Sequence, residues 1–122
     1  GSLGEYQTLS DDERARVITT AVEASPAGFH VMAGTGAYGS MESRRWAEQA
    51  AEAGAQAVLQ LPPNTYRAND EQVFAHYEEV AKAGLPVVAY NNLAADADRI
   101  SSSHEAFADE FSTILSRQLE ED

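Results

Sequence analysis

Carboxylates, histidines, tyrosines and hydroxyls that could act as base, ligand or nucleophile are plentiful in this sequence, but their types and spacing narrow the chemistry. There is no cysteine, so neither a thiolate nor a disulfide is available. The single lysine is Lys82. An imine-forming lysine must be buried at a strand end to lose its proton, whereas Lys82 falls in the last turn of a helical stretch, where an ammonium complements the helix dipole. His30, His76 and His104 do not combine with carboxylates at metal-ligand spacing. Gly34-Thr35-Gly36 lacks the third glycine and the downstream acid of a dinucleotide fingerprint, and Arg44-Arg45 reads as a solvated helix face. These residues therefore call for no metal and no cofactor.

Two features remain. In Gly1-Ser2-Leu3-Gly4-Glu5 the glycines permit a tight backbone whose amides can approach an anion. Tyr90 closes the apolar run Val87-Val88-Ala89 and carries a phenol that can exchange a proton. Each has a purely structural alternative: Ser2 as a turn residue bonded to its own backbone, and Tyr90 as an aromatic at the edge of the core.

The elements that must position these residues repeat. Ser10-Asp11-Asp12-Glu13 forms a capping box that opens a helix with Val17, Ile18, Ala21 and Val22 inward. Pro26-Ala27-Gly28 ends it, and residues 29–33 read as a strand followed by the turn Gly34-Thr35-Gly36. Ser40 is the expected cap of a second helix with Ala47, Ala50 and Ala51 as a small-residue face, and residues 57–61 form the next strand, stopped by Pro62-Pro63. Asn69 or Asp70 caps a third helix with Val73, Phe74, Tyr77, Val80 and Ala81 inward, and residues 86–90 form the last strand. Trp46 is expected to pack between helices.

Ala27-Gly28, Ala53-Gly54 and Ala83-Gly84 each separate a helix from an apolar run, at intervals of 26 and 30 residues. That is the period of a βα unit of about 30 residues. Continuous apolar strands indicate a parallel sheet buried on both faces. The fold class is α/β, and periodicity alone leaves open a doubly wound sheet or a barrel.

After Asn92 the repeat stops. Residues 94–122 hold eight acids against Arg99 and Arg117, half of the chain's net charge of −12. Phe107, Phe111, Ile114, Leu115 and Gln118 line one helical face, with Ser103 as its cap, so residues 93–122 read as an acidic tail carrying an amphipathic helix. The acidic balance disfavours nucleic acid and anionic membranes as partners. No apolar run reaches the length of a membrane span and no signal-peptide pattern opens the chain, so a soluble cytoplasmic protein is expected.

Taken in order, Gly1-x-x-Gly4-Glu5 with Thr8-Leu9 and Glu13-Arg14, then Ala33-Gly34-Thr35-Gly36, Leu61-Pro62-Pro63 and Val87-Val88-Ala89-Tyr90-Asn91-Asn92 resemble the pyruvate-dependent class I aldolases of the dihydrodipicolinate synthase and N-acetylneuraminate lyase family. The resemblance covers residues 1–92, the region from the second to the fifth strand. It implies a partial (β/α)₈ barrel, since a closed barrel takes about 250 residues and this chain has 122.

It also implies a lyase that makes or breaks a carbon–carbon bond of a 2-oxo acid such as pyruvate through a Schiff base. On that resemblance Ser2, Leu3 and Gly4 hold the substrate carboxylate, Ser2 and Tyr90 relay protons, and a lysine on the following strand forms the imine. The sequence departs from the family at several positions. Leu3 replaces a frequent hydroxyl, Asn64 and Thr65 stand where many relatives carry a tyrosine pair, and Leu93 replaces a usual proline. No arginine precedes Arg99 in the stretch where dihydrodipicolinate synthases proper grip their second substrate, which argues against the substrate of lysine biosynthesis. No lysine matches the imine-former, so the chain is expected to be a catalytically incomplete segment. The alternative is a non-catalytic interaction module that associates, as a homo-oligomer for example, through open sheet edges or the C-terminal helix.

Overall fold

The structure, a computed structural model, describes residues 4–63 and 66–90. The expected C-terminal amphipathic helix and the expected boundary near Leu93 lie outside the described residues, as do Ser2, Leu3, Asn64 and Thr65.

A 3₁₀ turn (Tyr6–Thr8) leads into α1 (Asp11–Ala24), followed by β1 (Met32–Gly34), α2 (Ser40–Ala53), β2 (Ala57–Gln60), α3 (Asp70–Ala81) and β3 (Val87–Ala89). The strands form one parallel sheet in the order β1-β2-β3, with Ala33 paired to Val58 and Val58 to Val87. Each strand is joined to the next by a helix, as parallel pairing requires.

Helix α1 packs on α2 and α2 on α3, so the three helices form one layer on one face of the sheet. A doubly wound sheet carries helices on both faces; strands in sequential order with a single helical layer are the wall of a (β/α)₈ barrel. Packing thus answers what periodicity left open.

Under the helices lies the core: Ile18, Ala33, Ala47, Ala50, Val58, Tyr77, Val80, Ala81 and Val87. Ala47 and Ala50 are completely buried, because methyl groups let α2 lie close against β2. The expected burial of the strands on both faces is corrected: Met32 and Val88, on the face away from the helices, are 49% and 45% exposed.

Local signals fare unevenly. Ser10 accepts the Glu13 amide while the Glu13 carboxylate accepts the Ser10 amide, completing the expected capping box. Asn69, not Asp70, caps α3, in a second box with Gln72. Ser40 does not cap α2; Gly39 occupies that position without a side-chain bond, and the Ser40 hydroxyl is engaged with His76 instead. The first strand begins three residues later than expected, because the Phe29 N–H turns back onto the Pro26 carbonyl beside Gly28 at φ 89°. In α1 the buried line is Arg14, Ile18 and partly Val22, at spacings of four, while Val17 is 58% exposed.

Candidate functional site at the carboxyl ends of the strands

The three strands deliver Gly34-Thr35-Gly36, Leu61-Pro62-Pro63 and Tyr90 to one end of the sheet. Backbone bonds hold them in register there: the Thr35 N–H donates to the Leu59 carbonyl and the Tyr90 N–H to the Gln60 carbonyl, at 3.1 and 2.9 Å. Gly36 admits no side chain without movement, since a Cβ there would lie 3.1 Å from Leu61 Cδ1 and 3.4 Å from the Tyr6 hydroxyl. The turn before α1 is thereby brought against the first two strand ends.

Arg14 fastens that junction. Its Nη2 donates to the carbonyls of Gly34 (3.3 Å) and Gly36 (2.9 Å), and its guanidinium lies 4.8 Å from the centre of the Tyr6 ring and 4.3 Å from that of Trp46. Burial lowers its pKa, opposed by Tyr6, Glu42 and Asp11 nearby; an arginine remains charged regardless. The planar cation, two carbonyls and two ring faces form a rigid bracket between α1, α2 and the loop after β1. Beside it opens a shallow cleft of about 140 Å³, lined by Tyr6, Asp11, Arg14, Tyr38, Glu42 and Trp46 among others. Trp46 is buried, with the guanidinia of Arg14 and Arg45 4.3 and 5.0 Å from its ring centre, in keeping with its expected place among the helices.

Of the candidate site residues, Ser2 and Leu3 lie outside the described residues. Gly4 is exposed, and the left-handed conformation in this turn belongs to Glu5 at φ 54°, not to Gly4. An L-residue there is uncommon. Thr8 secures it, donating both its amide (2.9 Å) and its hydroxyl (2.8 Å) to the Glu5 carbonyl, which gives the Glu5…Thr8 spacing a physical reason. Tyr90 follows β3 directly and is 49% exposed.

Lys82 is the C-cap of α3, exposed and paired with Glu79, whose carboxyl is held below its ordinary pKa by Lys82 and then Arg44. It stands at the end of α3 that leads into the start of β3, opposite the strand ends carrying Tyr90. Arg44 pairs with Glu48 and Glu79, and Arg45 with Asp11 and Glu42, so both serve helix packing. Among the described residues no group of three His, Asp or Glu side chains could hold a metal ion, and no helix is long and apolar enough to cross a membrane.

Sequence reasoning missed a buried polar chain beneath this surface. The Thr35 hydroxyl donates to Gln60 Oε1 (2.7 Å), and the Gln60 amide nitrogen donates to the Leu61 carbonyl (2.9 Å) and Ser43 Oγ (3.3 Å). His76 Nε2 meets the same carbonyl at 3.0 Å, and its Nδ1 meets Ser40 Oγ at 2.8 Å. Two signals could have exposed it. Gln60 stands two residues from Val58 and so on the same strand face, and His76 lies between Val73 and Val80 at helical spacing.

Comparison with known proteins agrees with this architecture. Residues 1–98 match the profile described as "Dihydrodipicolinate synthetase family". An uncharacterized DapA-like lyase of Rhizobium meliloti is 39% identical over 92 residues, 75% of this chain and 31% of the relative. A 4-hydroxy-tetrahydrodipicolinate synthase of the same species is 38% identical over the same shares. The prophage protein YagE from E. coli, of the dihydrodipicolinic acid synthase family and solved in complex with pyruvate, superimposes with a TM-score of 0.72 at 28% identity, covering 80% of this chain and 33% of that one. The chain thus spans about a third of the length of the curated relatives it matches.

Proposed function

Because the chain belongs to the dihydrodipicolinate synthetase family, we propose that it supplies part of the pocket of a pyruvate-dependent class I aldolase or lyase acting on a 2-oxo acid. In this reading the backbone amides of Ser2, Leu3 and Gly4 receive the substrate carboxylate, and the Ser2 hydroxyl and the Tyr90 phenol move protons to and from the reacting carbon. The amine that attacks the ketone comes from outside this sequence, and the chain alone turns nothing over. The observation carrying the proposal is the alignment of three parallel strand ends at one end of the sheet, with Tyr90 on the last and the turn that Arg14 brackets against the first two. Active sites of barrels with this wall lie at that end. The position of Lys82, exposed, ion-paired and at the other end of its helix, supports the absence of an imine-former.

Borohydride reduction in the presence of pyruvate tests the proposal, with a mass spectrum that contains no adduct as the expected result. An adduct on Lys82 would overturn it. Pyruvate is also expected to shift the amide resonances of Gly4 and Glu5; unmoved amides at millimolar pyruvate would remove the carboxylate role from the turn.

A second reading, association without catalysis, is favoured by the exposed Met32 and Val88 on the uncovered sheet face. A homo-oligomer formed through that face is the form it would take. Sedimentation as a compact monomer at all concentrations would dismiss this reading.

A further inference from the structure

Among the described residues, no backbone hydrogen bond ties the turn at residues 4–9 to a strand. The bonds of this turn are internal. The Thr8 N–H donates to the Glu5 carbonyl (2.9 Å) and the Leu9 N–H to the Tyr6 carbonyl (3.4 Å), while the Thr8 hydroxyl adds a second bond to Glu5 at 2.8 Å. They set the shape of the turn, with Glu5 left-handed, but not its position relative to the strand ends.

Position is supplied by side chains. Tyr6 directly follows Glu5, and its hydroxyl and Cζ lie 3.4 and 3.7 Å from where a Cβ on Gly36 would stand, so the ring rests on the loop after β1. The Arg14 guanidinium is 4.8 Å from the centre of that ring, and its Nη2 donates to the Gly34 and Gly36 carbonyls. Trp46 fixes the guanidinium in turn, with its ring centre 4.3 Å away. One nitrogen thus grips the end of β1 and the loop after it, while the face of the planar cation meets Tyr6. A lysine ammonium, a point charge without a face, could not do both in the same way.

Such a tie matters for a ligand that must meet groups from separate elements. A carboxylate on the Gly4 turn and a reacting carbon near Tyr90 fix two points of one small molecule, and a misplacement of about 1 Å caused from a distance can cost on the order of a hundredfold. We propose that Arg14, acting through Tyr6, is a positioning residue that holds the carboxylate-receiving turn in register with the strand ends and so sets the affinity for a 2-oxo acid. The proposal rests on the reading that this turn receives the carboxylate. Arg14 itself touches no substrate.

The test is a pyruvate titration of the full chain followed by the amide resonances of Gly4 and Glu5. Arg14→Met and Tyr6→Ala are each expected to weaken pyruvate binding about tenfold, roughly the worth of one hydrogen bond to a charged group. The double variant is expected to lose no more than either alone, because both act along one path. Tyr6→Phe keeps the ring and gives up only an exposed bond from Gln7, so it should match wild type. Val80→Ala, which weakens the core on α3 away from the bracket, should also bind as wild type does. Tyr6→Ala leaves the charge of Arg14 in place, so its loss reports position rather than attraction of the anion. Wild-type affinity in Tyr6→Ala or Arg14→Met would overturn the proposal and leave the carboxylate reading standing. Additive losses in the double variant, or an equal loss in Val80→Ala, would overturn it too. Wild-type amides that do not respond to millimolar pyruvate would remove the carboxylate reading and the proposal together. Should Arg14→Met not fold, the Tyr6 pair decides: weakened binding in Tyr6→Ala with Tyr6→Phe unchanged sustains the proposal, and any other pattern sinks it.

Discussion

The two faces of the sheet are built from the same strands yet meet different environments. On one face Ala33, Val58 and Val87 stand in register under α1, α2 and α3 and are almost completely buried. On the other, Met32 and Val88 remain about half exposed. Residue type does not explain the contrast, for Val87 and Val88 are identical and adjacent. Alternation along a strand sends them to opposite sides, and only one side has a helical layer. The apolar character of the open face is that of a barrel interior, which in a closed barrel is filled by side chains from all the strands.

Paired substitutions probe this contrast most strongly. Val58→Asp puts a carboxylate under the helices with no partner, and is expected to cost about 4 kcal/mol or more and abolish the cooperative melt. Val88→Asp on the open face should stay within about 0.5 kcal/mol. Circular-dichroism melts of both check the difference, and equal losses would mean that the open face is covered in solution.

Arg14 belongs to the covered side but is polar. Arg14→Met keeps part of the packing and deletes two hydrogen bonds and the ring contacts, and should lower stability by about 2 kcal/mol. A variant as stable as wild type in urea titration would show that the bracket is incidental. Ser10→Ala removes an N-cap at the solvent edge of the same layer, for an expected loss of about 1 kcal/mol in the same titration.

The smallest effect is electrostatic. The backbone amide and then the hydroxyl of Ser10 hold the fully exposed Glu13 carboxyl below its ordinary pKa of 4.5. The folded chain therefore releases that proton more readily, and the contribution is present above pH 4.5 and lost as pH falls through the folded value. Glu13→Gln should flatten the acid limb of stability below pH 4.5. Melts across that range would show it.

Much of this architecture could be read from residue order. The glycines ending each helix, the capping box at Ser10 and the apolar runs placed three helices and three strands close to where they lie. These are local signals, set by backbone geometry and by hydrogen bonds within a few residues. Reading was least reliable where an outside partner decided the outcome. Ser40 has the composition of a cap, but the hydroxyl faces His76 across the α2–α3 interface. Val17 fits a helical stripe, but α2 and the loop after β1 select the line through Arg14 instead.

The candidate site divides in the same way. The motif order named Gly4 and Tyr90 and disqualified Lys82 without coordinates. It did not show that Glu5 takes the left-handed position or that Arg14 ties the turn to two strand-end carbonyls.

The sequence by itself determined the alternation of helices and strands, the family likeness and the presence of a single lysine. Each of these is a matter of which residues are present and how far apart they stand. Tertiary structure alone decided that all three helices share one face, that Met32 and Val88 on the other face are left uncovered, and that His76 joins a buried hydrogen-bond chain. Those outcomes depend on contacts between residues distant in sequence, where a hydroxyl, an imidazole or a guanidinium takes whichever partner the packing brings within reach.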